Sequence, residues 1–297
     1  MTDVLQALLL ALGPTAIYAM LALAFVVVYK STGIVNLAAP VLLAFGSFEI
    51  AYLKVEAGLS FWAAVLIAVA AAALMGLVLE RLLMRPMVGE PPFSAVMVTV
   101  GVLIAGDIVV DDLIGVVPRP IGDPWQTTFD VAGARLEESD LWSFGIAIVV
   151  VVGLIAFFRY SRIGTAMRAT SFDQEAALAM GVPVGRVFAI SWAIAGGLGA
   201  IAGLMLASGG STVTQTTGLV AFVALPVIIL GGLDSIGGAI IGAAIIGIVQ
   251  GVVIVFQPQY ADFLGTGFLG VAPYLVMLLA LLIRPYGLFG TREIERV

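Results

Sequence analysis

The chain has 297 residues, of which 62% are apolar and only 11% charged, and its net charge is −6. That balance excludes an ordinary soluble domain and a nucleic-acid partner, and it points to a polytopic membrane protein. There is no cysteine and no histidine, which removes disulfides, thiolate chemistry, imidazole bases and imidazole metal ligands together.

Several apolar runs reach roughly 20 residues, enough to cross a hydrocarbon core of about 30 Å. Read against Gly, Pro and charge, they predict an all-α polytopic fold with about nine membrane segments, within a range of eight to ten. The segments fall near 4–29, 34–53, 61–80, 94–114, 141–158, 187–208, 218–232, 234–256 and 268–284. Met1-Thr2-Asp3 lacks a basic n-region, so the first segment is expected to be a retained helix and not a cleaved signal. Between the first two segments, Asn36 and Pro40 interrupt the apolar run. A helix broken there exposes backbone polar groups, which is tolerable only against protein or a water-filled cavity. Asn36 and Pro40 are therefore candidate pathway residues, the alternative being a simple turn after Lys30.

Glu49 and Asp107 are the acids expected within spans, where a charge usually faces a bundle interior or water. Both sit towards one end of their segments, so snorkelling to the interface is the competing reading. Residues 115–140 form a turn-rich connector with Pro118, Pro120, Pro124 and Gly133, either a solvated loop or part of a docking surface for a soluble binding protein. Trp62, Trp125 and Trp142 near span ends read as interface anchors. The segment at 218–232, with Pro226, Gly231 and Gly232, is short for a crossing and reads as broken or re-entrant; Pro226 is a further pathway candidate. Glycines recur at i, i+4 in Gly199/Gly203, Gly238/Gly242 and Gly247/Gly251, a spacing that lets helices approach closely.

Sidedness follows from the cations. Lys30, Arg81, Arg85, Arg159, Arg162, Arg168, Arg186, Arg284, Arg292 and Arg296 fall on one side of a nine-segment layout, ten of the thirteen basic residues. The other side receives Asp111, Asp112, Asp123, Asp130, Glu137, Glu138 and Asp140 with only Lys54, Arg119 and Arg135. The amino terminus is thus expected outside, the carboxyl terminus inside, and the 159–186 loop in the cytoplasm. Within that loop lies Glu175-Ala176-Ala177-Leu178-Ala179-Met180-Gly181.

The E-A-A-x-x-x-G pattern resembles the cytoplasmic coupling loop of ABC importer permeases. Further motifs resemble the branched-chain amino acid ABC transporter permease family. They are Ile17–Ala24 with Gly33–Ala38, Glu80–Met87, Gly164–Ala169 leading into Glu175, and Ala221–Val223 with Gly231–Ala239. The matches run in the expected order from about residue 14 to 250. One departure is plain: the family commonly reads N-F-A-H-G-E where this chain has Asn36-Leu37-Ala38-Ala39-Pro40, so the resemblance does not carry the substrate over.

The resemblance implies a single permease domain over 1–297 in the inner membrane, with Glu175, Ala176, Ala177 and Gly181 coupling it to ATP hydrolysis. It implies two ABC ATPase subunits, a second homologous permease and an extracytoplasmic substrate-binding protein as partners, besides membrane lipid. Branched-chain or related amino acids are the expected substrates; sugars, urea or amides are the alternatives. No G-x-x-x-x-G-K-[ST] loop is present, so no catalysis and no cofactor are expected of this chain itself. An ion-coupled secondary transporter or a channel, which would work without an ATPase, is the reading from a different class.

Overall fold

The computed structural model describes residues 2–172, 174–265 and 267–290; Arg292 and Arg296 lie outside the described residues. Helices dominate. α1 (Thr2–Leu10) and α2 (Leu12–Thr32) form one bent unit, followed by α3 (Ala39–Ala51), α4 (Phe61–Leu79), α5 (Pro92–Ile114) and α6 (Glu138–Tyr160). Two short helices, α7 (Arg162–Phe172) and α8 (Gln174–Ala179), precede α9 (Val184–Leu206). The chain continues through α10 (Ala224–Gly231), α11 (Ile236–Phe256), the single turn α12 (Ala261–Leu264) and α13 (Phe268–Ile283). Among the described residues, six helices are long and apolar enough to cross a membrane: Thr2–Thr32, Phe61–Met87, Phe93–Ile114, Glu138–Tyr160, Val184–Leu206 and Ile236–Tyr260. Thr217–Gly231 and Phe268–Ile283 are shorter apolar helices.

The second expected segment, 34–53, is helical only from Ala39, and a π-helical turn, Tyr52–Glu56, extends it. Residues 34–38 are not helical because Gly33 ends α2 in the left-handed region (φ 71°) and the Asn36 side chain offers the backbone a competing partner. The seventh segment begins as a 3₁₀ helix, Thr217–Val223, before α10. At about 2.0 Å per 3₁₀ residue and 1.5 Å per α residue, these fifteen residues reach roughly 26 Å, close to a full crossing.

The bundle has two distinct ends. At one lie two small two-stranded sheets: β1 (Arg119–Pro120) pairs with β4 (Thr212–Val213), and β2 (Thr128–Val131) forms a hairpin with β3 (Ala134–Glu137). Ala132 (φ 54°) and Gly133 (φ 84°) make the two-residue turn between β2 and β3. Gln6 on α1 binds this hairpin with both ends of its amide, accepting from the Arg135 N–H (2.7 Å) and donating to the Arg135 carbonyl (3.0 Å). Trp62, Trp125 and Trp142 meet at this end, with Trp125 stacked on Trp142 at 5.7 Å and edge-on to Phe61 at 5.2 Å. Trp62 and Trp142 are half-exposed, as interface anchors would be, but Trp125 is buried and belongs to the core.

α9 is the hub, packed against α2, α3 and α4. The contacts are backbone-close. A Cβ on Gly196 would collide with the Ala72 carbonyl, one on Gly76 with the Trp192 carbonyl, and one on Gly203 with the Leu43 carbonyl and Ser47. The spaced glycines of α11 do the same work, Gly238 and Gly242 against α10 and Gly247 and Gly251 against α2 and α1. All three pairs read from the sequence thus face other helices of the same chain. Gly196→Leu should lower the thermal stability of the detergent-solubilised chain by about 1–3 kcal/mol through overpacking. Gly101→Leu, at an exposed site with nothing within 4 Å, should leave it unchanged. Thermal-shift size exclusion distinguishes the two.

Candidate functional site

Opposite the hairpin end, α7 and α8 form a polar island; Gly164 and the buried Met167 seat α7 on the bundle, while α8 is mostly exposed. Ser161 caps α7, its Oγ accepting from the Gly164 N–H at 2.8 Å. Arg168 bonds the Phe158 carbonyl and Thr165 Oγ1, folding α7 back on the end of α6. Gln174 Nε2 donates to the Thr32 carbonyl at 3.1 Å, tying α8 to the end of α2.

The short helix carrying Glu175, Ala176 and Ala177 ends in a glycine-terminated C-cap. The Val182 N–H reaches back to the Ala177 carbonyl and the Gly181 N–H to the Leu178 carbonyl, both at 2.9 Å, with Gly181 at φ 82°. This is the paired 6→1 and 5→2 arrangement that favours glycine at the left-handed position. Glu175, Ala176 and Gly181 are exposed, whereas Ala177 is buried against the protein's own chain. The sequence did not single out the apolar side chains around them: Phe172 is 90% exposed, Met180 85% and Leu178 53%. Exposed apolar residues on a helix pair otherwise bearing Arg162, Thr165, Arg168 and Ser171 form a patch of the kind that binds another protein.

Of the pathway candidates, Asn36 and Pro40 lie inside the bundle. Leu42 and Leu43 sit opposite Gly199, past the middle of α9, so α3 starts well within the fold. The non-helical backbone leading to it is satisfied locally: Thr32 Oγ1 accepts from Ile34 N–H (3.1 Å), Asn36 Oδ1 from Ala38 N–H (3.0 Å) and Thr99 Oγ1 of α5 from Leu37 N–H (3.4 Å). Thr99, missed from sequence, is one hydroxyl on an apolar helix, and only its position opposite the break gives it meaning. Asn36 is fully buried, and among the described residues its Nδ2 has no partner. Pro40 touches the start of the 3₁₀ segment, where Gly218 lies against the Pro40 carbonyl, so the two interrupted elements meet. Pro226 is buried in α10. Glu49 on α3 and Asp107 on α5 are both part-buried, and no bond joins either to the other candidates. Asp107 instead has Asp111 one turn further along α5. Among the described residues, no group of His, Cys, Asp or Glu could hold a metal ion.

Comparison with known proteins agrees with this architecture. The model for the branched-chain amino acid transport system permease component matches residues 7–288. The chain is 27% identical to the high-affinity branched-chain amino acid transport system permease protein LivH of Escherichia coli K12 over 308 residues, covering 96% of this chain and 94% of that protein. It is also 27% identical to the corresponding permease BraD of Pseudomonas aeruginosa over 311 residues, covering 99% and 98%. The fold is similar to a chain in the structure of PsaBC from Streptococcus pneumoniae in complex with Fab, with a TM-score of 0.51, 15% identity, and coverage of 94% and 92%.

Two substitutions test the local geometry. Gly181→Val should release the cap, since the left-handed conformation costs a non-glycine residue about 1–2 kcal/mol; hydrogen exchange across 174–184 should accelerate, and Gly181→Asn should not show this. Thr99→Val, nearly isosteric, strips the Leu37 N–H of its partner and should cost about 1 kcal/mol of thermal stability. From the helical bundle, the ordered motifs and the near-complete match, the chain belongs to the branched-chain amino acid transport permease family, as a multi-pass, non-catalytic membrane subunit of an ABC importer.

Proposed function

We propose that this subunit forms half of a translocation pathway for branched-chain or related amino acids and works by alternating access. In this reading one of two partner ATPases docks on the α7–α8 island, and the other docks on the second permease. ATP binding draws them together, the motion enters through Glu175–Gly181, and the bundle opens outward to receive substrate from a binding protein; hydrolysis resets it. The observation that carries the reading is the island itself, an exposed apolar patch of Phe172, Leu178 and Met180 around Glu175 on a polar helix pair. Small Ala176 leaves the helix surface low enough for a cleft to close over it.

The island lies at the end where Lys30, Arg81, Arg85, Arg159, Arg162, Arg168 and Arg186 gather, which supports a cytoplasmic placement and an external hairpin end. The Asn36–Pro40 break, with a buried donor at Asn36 Nδ2 and contact to the Gly218 segment, supports a polar route through the bundle beside Pro40 and Pro226. Glu49 lies nearer the outer end of that route. Asp107 and Asp111 on the peripheral α5 would be costly against acyl chains, which supports a second permease covering that helix. The branched-chain substrates come from the names of relatives at 27% identity.

The test is co-purification. Leu178→Asp with Met180→Asp should reduce recovery of P-loop ATPases with the full chain at least tenfold, by burying charge in a docked interface. The chain should still elute as a folded species. Undiminished ATPase recovery, or substrate uptake by ATPase-free liposomes, would overturn the reading.

A further inference from the structure

Beside the island, a crevice of about 420 Å³ opens between the ends of α2, α6 and α11 and the helix α7. Three cations line it, Lys30, Arg159 and Arg168, and its wall is apolar, made by Ile155, Phe158 and Ile236. No carboxylate lines it, and among the described residues none of the three cations is in a salt bridge. Lys30 spends one proton on the Asp234 carbonyl at 3.0 Å, leaving two donors. Arg168 is anchored on the Phe158 carbonyl and Thr165 Oγ1, which holds its guanidinium at the rim. Arg159 lies beside the ring of Tyr160, 5.5 Å from its centroid, and is otherwise exposed.

Three positive charges on one crevice whose own lining holds no carboxylate, against low-dielectric walls, favour an anion, although Lys30 and Arg168 also border a neighbouring cavity that includes Asp234. The depth of the site says which kind. Lys30 stands at the end of α2 and Arg159 at the end of α6, where spans give way to polar loop, which is headgroup depth. Ile155, one turn deeper on α6, is exposed and continues the crevice down the side of the bundle. A free anion has no use for that strip, but an acyl chain does.

We propose that this crevice binds an anionic phospholipid, its phosphate held by Lys30, Arg159 and Arg168 and one acyl chain lying along Ile155. Because Arg168 belongs to α7, the bound lipid braces the island against the bundle. The inference requires a membrane protein but not ATP coupling, so it can fail or succeed separately from the function proposed above.

Native mass spectrometry of the full chain, titrated with phosphatidylglycerol or phosphatidylcholine of matched chain length, tests it. The wild type should retain phosphatidylglycerol at least fivefold over phosphatidylcholine. Lys30→Gln with Arg159→Gln should abolish the preference; Arg159→Gln alone, altering one exposed side chain, should halve it or more without affecting folding. Ile155→Trp, which fills the acyl strip and leaves every charge in place, should also weaken phosphatidylglycerol binding severalfold. Equal retention of the two lipids by the wild type overturns the proposal, as does a preference unchanged in the variants. Displacement by millimolar inorganic phosphate, with Ile155→Trp inert, assigns the site to a free anion and overturns it equally.

Discussion

Close backbone contact along α9 is the constraint on which the rest of this structure depends. In lipid there is little hydrophobic gain from bringing helices together, so van der Waals contact and short-range polar interactions must hold the bundle. Gly196, Gly199 and Gly203 remove the side chains that would keep α4 and α3 at a distance, and Gly46 and Gly76 answer from the other helices. α9 therefore cannot shift without carrying three neighbours. It also begins three residues after Gly181, at Val184, with the rigid cap of α8 directly upstream. The covalent route from the island to the centre of the fold is thus short and stiff, and Arg85, whose guanidinium lies against Gly185 at the start of α9, reinforces it.

The second organising feature is the pair of interrupted elements. Regular helices satisfy their own backbone, and breaking one inside a membrane protein requires borrowed partners. Here Thr32, Asn36 and Thr99 supply them for residues 34–38, and the 3₁₀ segment packs its Gly218 on the Pro40 carbonyl. The result is a polar seam of limited size enclosed by apolar helices. Such a seam is less costly to rearrange than a continuous helix, since its bonds are few and run from side chain to backbone.

Much of this was legible in the sequence because glycine, proline and charge act locally. Gly33 and Asn36 mark the end of α2, Gly181 the end of α8, and the i, i+4 glycines the tight interfaces, each through a property of the residue itself. What could not be read are relations set by tertiary placement. Thr99 is indistinguishable from any threonine on an apolar helix until α5 is laid beside residue 37. Ala177 looks equivalent to Ala176 in the motif, yet one faces inward and the other outward. Trp125 shares its position near a span end with Trp62 and Trp142, and only the folding of the 115–137 connector over the bundle buries it. Glu49 and Asp107 look alike in the sequence, yet α5 packs Gly106 against Val41, about two turns of α3 away from Glu49, so the two acids stand at different levels.

The paired hydrogen bonds between Gln6 and Arg135 have a consequence for biogenesis. α1 is synthesised well before its partners, which are the hairpin at residue 135 and, through Gly251 against the Ala7 carbonyl, α11. α1 can meet the hairpin once residue 135 has been made, but its contact with α11 has to await residue 251, about 240 residues after its own end. Two contacts far apart in sequence thus hold one short helix, and the later of them sets when it is fully seated.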